Sequence, residues 1–175
     1  GSGNDSPTGN ARFKDGASAD VAGIIVGEDG ALDAGTGNDV ITGFAQSNAD
    51  TGTRAAIAGE ATGLIRTGAG ADQVDAKRGG FDGGFTLDLG TGNDSVAGFG
   101  DVMVDGGDGV DTLEFADPLA RFVRQGGTID EGPDGTFELT QNGETMAVSN
   151  VELFVFRDEE VAAADLLEAA DDFLV

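Results

Sequence analysis

Four segments of the chain share one pattern: two glycines one residue apart, then an aspartate two residues further on. They are A-L-D-A-G-T-G-N-D-V-I at 31–41, G-L-I-R-T-G-A-G-A-D-Q-V at 63–74, F-T-L-D-L-G-T-G-N-D-S-V at 85–96 and D-V-M-V-D-G-G-D-G-V-D-T-L at 101–113. Take Asp39, Asp72, Asp94 and Asp111 as origins. Glycine then stands four and two residues earlier in every copy. An apolar residue stands seven residues earlier (Leu32, Ile65, Leu87, Val104) and another two residues later (Ile41, Val74, Val96, Leu113). Columns repeated at fixed offsets are the mark of stacked architectures, in which each unit buries its apolar face only against its neighbours.

Each column has a structural meaning. The first apolar residue faces inward from a short strand, the glycines form a turn, and the second apolar residue opens another inward-facing strand. Strands of this kind alternate with a period of two. The glycines let the chain fold back with positive φ and leave carbonyls unshielded. Successive aspartates lie 33, 22 and 17 residues apart. The last two spacings approach one coil of a narrow β-solenoid. The first has room for an extra coil or an excursion, with A-Q-S-N-A-D-T-G-T-R at 45–54 as the candidate loop.

Charge then limits the chemistry. Nine basic residues face 33 acidic ones, for a net charge of −24. Self-repulsion on that scale opposes compaction. It also argues against nucleic acid as a partner, because no basic patch exists to release phosphate counter-ions. A bound cation relieves it directly. Carboxylates and backbone carbonyls are hard oxygen ligands that suit Ca²⁺, whereas Zn²⁺ prefers the His and Cys this chain lacks.

Catalytic signatures fail one by one. Without His or Cys there is no Ser-His or Cys-His nucleophile system. A dinucleotide fingerprint wants a third glycine where the copies hold Val40, Gln73, Ser95 and Thr112. No G-K-[ST] follows a glycine loop, and D-G-G-D-G-V-D does not fit an EF-hand. Pairs of carboxylates are uninformative among so many acids. No catalytic residue is assigned, and an enzyme is not expected.

The template G-G-x-G-x-D-x-U-x, with U a large apolar residue, is the nonapeptide of the RTX, or haemolysin-type calcium-binding, family, and the chain resembles it. Gly106, Gly107, Gly109, Asp111 and Leu113 match every fixed position, and the other copies lack only the first glycine, having Ala34, Thr67 and Leu89 there. The resemblance implies turns stacked in a parallel β-roll with Ca²⁺ between adjacent turns. Its implied ligands are Asp39, Asp72, Asp94 and Asp111, with carbonyls around Gly35, Gly37, Gly68, Gly70, Gly90, Gly92, Gly107 and Gly109. A half-match, G-S-G-N-D at 1–5, is followed by Pro7, which blocks a ladder hydrogen bond, so Asp5 carries little weight. The family has its nonapeptides in tandem. Here they are spread at about one per coil, which implies one row of sites rather than two. Asp105 and Asp108 read as solvated acids.

The second half extends the resemblance. D-G-T-F-E-L-T at 134–140 and T-M-A-V-S-N-V-E-L-F-V-F at 145–156 alternate as strands do, with Q-N-G at 141–143 as the turn. The run at 150–167 resembles the segment that often closes RTX arrays, where its role would be to cap open strand edges. Residues 159–175 read as a short helix and tail, with Leu167, Ala170 and Leu174 on one stripe. The final D-D-F-L-V is similar to the acidic-then-apolar C-terminus of type I secreted proteins such as the RTX metalloproteases. That implies export by an ABC transporter reading an uncleaved C-terminal signal. No apolar stretch nears the roughly 18 residues that span a bilayer. The N-terminus shows no Sec-type signal and no initiator Met, so a processed chain or a fragment is expected.

The expected fold is therefore all-β: a right-handed parallel β-roll or β-solenoid over 1–116, capping strands over 117–158, and a short C-terminal helix with a secretion signal over 159–175. The expected protein is a secreted, extracellular or cell-surface, calcium-binding module. Its folding and stacking are driven by Ca²⁺, and it serves a structural, assembly or adhesive role, with a homo-oligomer or filament as the candidate product. The alternative is the C-terminal calcium-dependent folding and secretion module of a larger RTX enzyme or toxin. A glycine–aspartate solenoid that needs no calcium competes with both, because Asp caps turns unaided.

Overall fold

The apolar columns of the repeat stack on one another in register. Leu32 pairs with Ile65, Ile65 with Leu87, Leu87 with Val104 and Val104 with Val148. Ile41 pairs with Val74, Val74 with Val96, Val96 with Leu113 and Leu113 with Phe154. These two rows, buried except for the half-buried Leu32, form opposite walls of one core. The computed structural model describes residues 2–4, 6, 8–12, 21–46 and 54–173. The half-repeat aspartate Asp5 with Pro7, residues 47–53 of the expected loop, and the last two residues of the tail lie outside the described residues.

The first strands are β1 (Thr8–Arg12), β2 (Val21–Val26), β3 (Ala31–Asp33) and β4 (Val40–Gln46). The middle of the chain supplies β5 (Arg54–Gly59), β6 (Leu64–Ala69), β7 (Gln73–Asp75), β8 (Phe81–Thr91) and β9 (Ser95–Ala97). Next come β10 (Gly100–Asp105), β11 (Thr112–Glu114), helix α1 (Leu119–Arg124) and β12 (Thr128–Glu131). The chain ends with β13 (Phe137–Gln141), β14 (Glu144–Ser149), β15 (Leu153–Val155), β16 (Glu160–Ala162) and helix α2 (Leu166–Asp171).

One sheet runs β1-β4-β7-β9-β11-β15-β16 and the other runs β12-β13-β14-β10-β8-β5-β2, with β6 beside β8 and β3 beside β6. The chain crosses between them through each repeat turn, from β3 to β4, β6 to β7, β8 to β9 and β10 to β11. Pairing along this path is parallel. The fold is thus β-rich, with mixed sheets and a short C-terminal helix.

The long interval between Asp39 and Asp72 does not insert a coil, because β3 pairs directly with β6 and β4 with β7. Part of its extra length lies in a corner that splits β5 from β6, closed by the Gly63 N–H donating to the Glu60 carbonyl at 2.7 Å. Both halves lie against the single long strand β8.

Parallel stacking continues past residue 116, with β14 on β10 and β15 on β11. Antiparallel pairs then end each sheet: β12–β13–β14 on one and β15–β16 on the other. The β13–β14 hairpin turns at Asn142 (φ 56°) and Gly143 (φ 88°), the double positive φ of a type I′ turn. The strand expected over 145–156 breaks at Asn150, φ 50°, because the chain must turn a corner there to change sheets.

Two helices differ from expectation. Helix α1 buries Leu119, Phe122 and Val123, the i, i+3, i+4 spacing of a helical face. Phe122 packs against Phe99 and Phe115, and Phe115 stacks on Phe156 with centroids 4.7 Å apart. At the C-terminus, β16 and a 3₁₀ turn occupy 160–165, so α2 begins only at Leu166. Its buried stripe is Leu166 and Ala170 rather than Leu167 and Ala170. Among the described residues no helix is long and apolar enough to cross a membrane.

Candidate metal centre

The repeat turns place Asp39, Asp72, Asp94 and Asp111 in one file, all 0–2% exposed. Each joins the next by the same bond. The Asp39 N–H donates to Asp72 Oδ1 at 2.7 Å, the Asp72 N–H to Asp94 Oδ1 at 2.7 Å, and the Asp94 N–H to Asp111 Oδ1 at 2.8 Å. Below Asp111 the file ends on a glutamate: the Asp111 N–H donates to Glu152 Oε2 at 2.8 Å. The recurring aspartate is thus explained first as an acceptor for a buried backbone donor one repeat away. Left unpaired, that donor would cost about 1–3 kcal/mol.

Only one oxygen of each carboxylate does this. Oδ2 of Asp72, Asp94 and Asp111 is buried and has no hydrogen-bond partner among the described residues. Buried carboxylate oxygens are normally paired, so such atoms need an explanation. Burial pushes the Asp94 carboxyl up to about 6 against the lowering effect of the Asp72 N–H, and the charges of Asp111 and Asp72 push it the same way. Burial also raises Asp111; the Asp94 N–H opposes this, while Glu152 and Asp105 add to it.

A second file runs beside the first. The residue before each aspartate is Asn38, Ala71, Asn93 or Val110. The Asn38 N–H donates to Asn4 Oδ1 at 3.0 Å, the Ala71 N–H to Asn38 Oδ1 and the Val110 N–H to Asn93 Oδ1, both at 3.1 Å. Both members of the Asn-Asp pair in G-T-G-N-D therefore bond across coils.

The glycines form two more columns, Gly35-Gly68-Gly90-Gly107 and Gly37-Gly70-Gly92-Gly109, every member with positive φ. At Gly92, φ 141°, a Cβ would run into the Gly70 carbonyl oxygen of the coil before it. Glycine is needed there by backbone conformation and by coil spacing together. The positions read as a missing first glycine, Ala34, Thr67 and Leu89, face the core and are buried. Thr67 Oγ1 donates to the Leu89 carbonyl at 2.7 Å. Only Gly106, in the last copy, sits where a side chain has no room: a Cβ there would run into the Asn150 carbonyl oxygen.

Glu152 carries no repeat signal. Asp105 pairs with Ser149 and Thr112 with Leu153, yet residues 150–152 cover the path that takes 106–111 in the coil before. Only its place two residues before a buried apolar residue, Phe154, as the aspartates stand before Ile41, Val74, Val96 and Leu113, marks it. Asp105 Oδ1 accepts from Asn150 Nδ2 at 2.7 Å, and Asp108 is exposed.

As a donor set, the file offers carboxylate oxygens beside glycine-turn carbonyls, which are the hard ligands Ca²⁺ takes. Among the described residues no three acidic side chains converge on one point where an ion could sit. No family model matches the chain, and no characterised protein or solved structure matches it either.

Proposed function

We propose that the chain is a secreted calcium-binding protein of the RTX kind, a parallel β-roll whose coils stack when Ca²⁺ neutralises the aspartate file. The observation that carries this reading is the set of buried Oδ2 atoms of Asp72, Asp94 and Asp111 without hydrogen-bond partners, in a chain of net charge −24. Parallel pairing through each repeat turn supports the roll.

Asp39, Asp72, Asp94 and Asp111 would supply carboxylate oxygens, and the turns around Gly35, Gly37, Gly68, Gly70, Gly90, Gly92, Gly107 and Gly109 would supply carbonyls. Bound calcium would contribute positive charge where buried carboxylates repel. The protein's own part is to hold those oxygens in register, one coil above another, and to keep water from them.

Linkage gives the role its physics. Extracellular modules bind Ca²⁺ with dissociation constants of about 10⁻⁴–10⁻³ M. A ligand at one hundred times its dissociation constant stabilises the folded state by about 2.7 kcal/mol. A few such sites match the roughly 5–15 kcal/mol net stability of a domain. Binding and folding then become one event, with the chain loose where calcium is scarce and ordered where it is abundant. The product is a structural, assembly or adhesive module outside the cell.

Far-UV circular dichroism and thermal melts in millimolar Ca²⁺ and in EDTA test the proposal. The expected result is a calcium-dependent gain of β signal and a higher melting temperature. Equal order and equal heat resistance in EDTA would overturn it. Light scattering on adding Ca²⁺ separates filament growth from a monodisperse folded chain.

A further inference from the structure

A cavity lies beyond the far ends of β7, β9 and β11 from the aspartate file. Asp75, Ala97 and Glu114 pair across those strands, so Ala76, Gly98 and Phe115 are the next residues out of them. Stacking continues into this corner: the Ala76 N–H donates to the Ala97 carbonyl at 2.7 Å and the Gly98 N–H to the Glu114 carbonyl at 3.1 Å. Helix α1 adds Phe122 to the lining and β13 adds Gln141. The enclosed space is about 340 Å³. Small-molecule sites run from about 300 to 1,000 Å³, so the size suits a molecule of one or two rings.

The lining has three parts. Phe99, Phe115 and Phe122 form an aromatic wall, with Phe99 and Phe122 edge to face at 5.6 Å between centroids and Phe115 at 6.4 and 6.3 Å from them. Phe99 is only half-buried. Gly79, Gly80 and Gly98 add no side chain and leave the room. The charged lining residues are Lys77 and Asp117. Lys77 Nζ donates to Glu114 Oε2 at 2.6 Å, and Arg121 Nη1 donates to Asp117 Oδ1 at 3.0 Å. Each charge thus has its counter-ion within the chain, and a charged ligand would have to displace one. The net charge of −24 also repels anions. Gln141 supplies a neutral polar group. Its Nε2 donates to the Phe122 carbonyl at 3.0 Å, which orients the amide and leaves its oxygen to accept.

We infer that this cavity binds a small uncharged aromatic molecule with one N–H or O–H donor, an indole or a phenol. Its ring lies against the three phenylalanines and its donor meets Gln141 Oε1. Ring-on-ring packing favours such a ligand beyond the area it buries. The cavity shares no residue with the aspartate file, so the inference does not rest on the calcium reading.

Fluorescence titration of indole with the folded full chain tests the site. The chain contains no Trp or Tyr, so the emission comes from the probe alone. A saturable blue shift with one indole per chain is expected. Ala116 is exposed and lines the cavity. Ala116→Phe should abolish the shift and keep the wild-type melting temperature. Gln141→Met should weaken indole by about three- to tenfold, the value of one hydrogen bond. It should leave indene, which has the rings without the N–H, bound as in wild type. No shift with wild type, or an equal shift with Ala116→Phe, would overturn the site. Equal weakening of indole and indene, or tighter binding of benzylamine or benzoate than of indole, would overturn the ligand class.

Discussion

The Asp72 N–H donates to Asp94 Oδ1 at 2.7 Å, across 22 residues of chain. One carboxylate oxygen thereby satisfies the next coil's backbone, while the other stays buried and without a hydrogen-bond partner among the described residues. The two oxygens make separable demands, the first for an acceptor and the second for a positive charge or a proton.

Two substitutions at Asp94 separate those demands. Asp94→Ala removes the acceptor and should lower stability by about 1–3 kcal/mol with or without Ca²⁺. Asp94→Asn keeps an acceptor and removes the charge. It should be neutral or stabilising in metal-free buffer and should lose part of the calcium-induced gain. Urea denaturation in both buffers checks the four values. Identical calcium responses in wild type and Asp94→Asn would remove Asp94 from the site.

Stability in metal-free buffer should rise as pH falls. The Asp94 carboxyl has an ordinary value of 3.8 and is pushed up to about 6 in the folded chain. Its contribution is therefore fully present below about pH 4 and is lost as pH rises through 6. Urea midpoints in chelating-resin-treated buffer between pH 7 and 5 should climb. With saturating Ca²⁺ the trend should flatten or reverse, because protons and metal compete for the same oxygens.

Gly92→Ala and Gly84→Ala should differ sharply. A Cβ at Gly92 would run into the Gly70 carbonyl oxygen, whereas at Gly84, φ 70°, nothing lies within 4 Å. Gly84→Ala should cost only the left-handed backbone penalty, about 1–2 kcal/mol. Gly92→Ala should cost more than that and broaden the melt, since the strand spacing itself must give. Thermal melts of the two variants, with Ca²⁺ present, check the order.

Asn93→Ala should be mild. Its Oδ1 accepts the exposed Val110 N–H at 3.1 Å, and water can replace it there. A loss under about 1 kcal/mol in urea is expected. Ala71 already occupies this column in another coil.

Much of this arrangement was legible in the repeat. The columns headed by Leu32 and Ile41 foretold two walls of a core, and the G-x-G-x-D offset foretold the stacked turns. Less legible was what spacing alone cannot encode. The interval after Asp39 looked long enough for another coil or an excursion; strand pairing depends on register and excludes the coil, and a split strand absorbs part of the length. Ala34, Thr67 and Leu89 looked like lost glycines and are core residues, because a template written for one turn type ignores which way a side chain faces. Glu152 was invisible because its corner is three residues, Asn150, Val151 and Glu152, with no glycine among them. The helical stripe was off by one residue because a strand and a 3₁₀ turn delay α2 to Leu166.

The aspartate bonds also share one direction along the chain. The carboxylate that closes each turn belongs to the coil that follows it in sequence, from Asp39 through Asp72 and Asp94 to Asp111 and then Glu152. Each aspartate N–H therefore depends on the one repeat that follows it, while the asparagine bonds run the other way, the Ala71 N–H donating to Asn38 and the Val110 N–H to Asn93. Loss of the Glu152 carboxylate should therefore leave the Asp111 N–H without its acceptor while the bonds from Asp39, Asp72 and Asp94 stay in place.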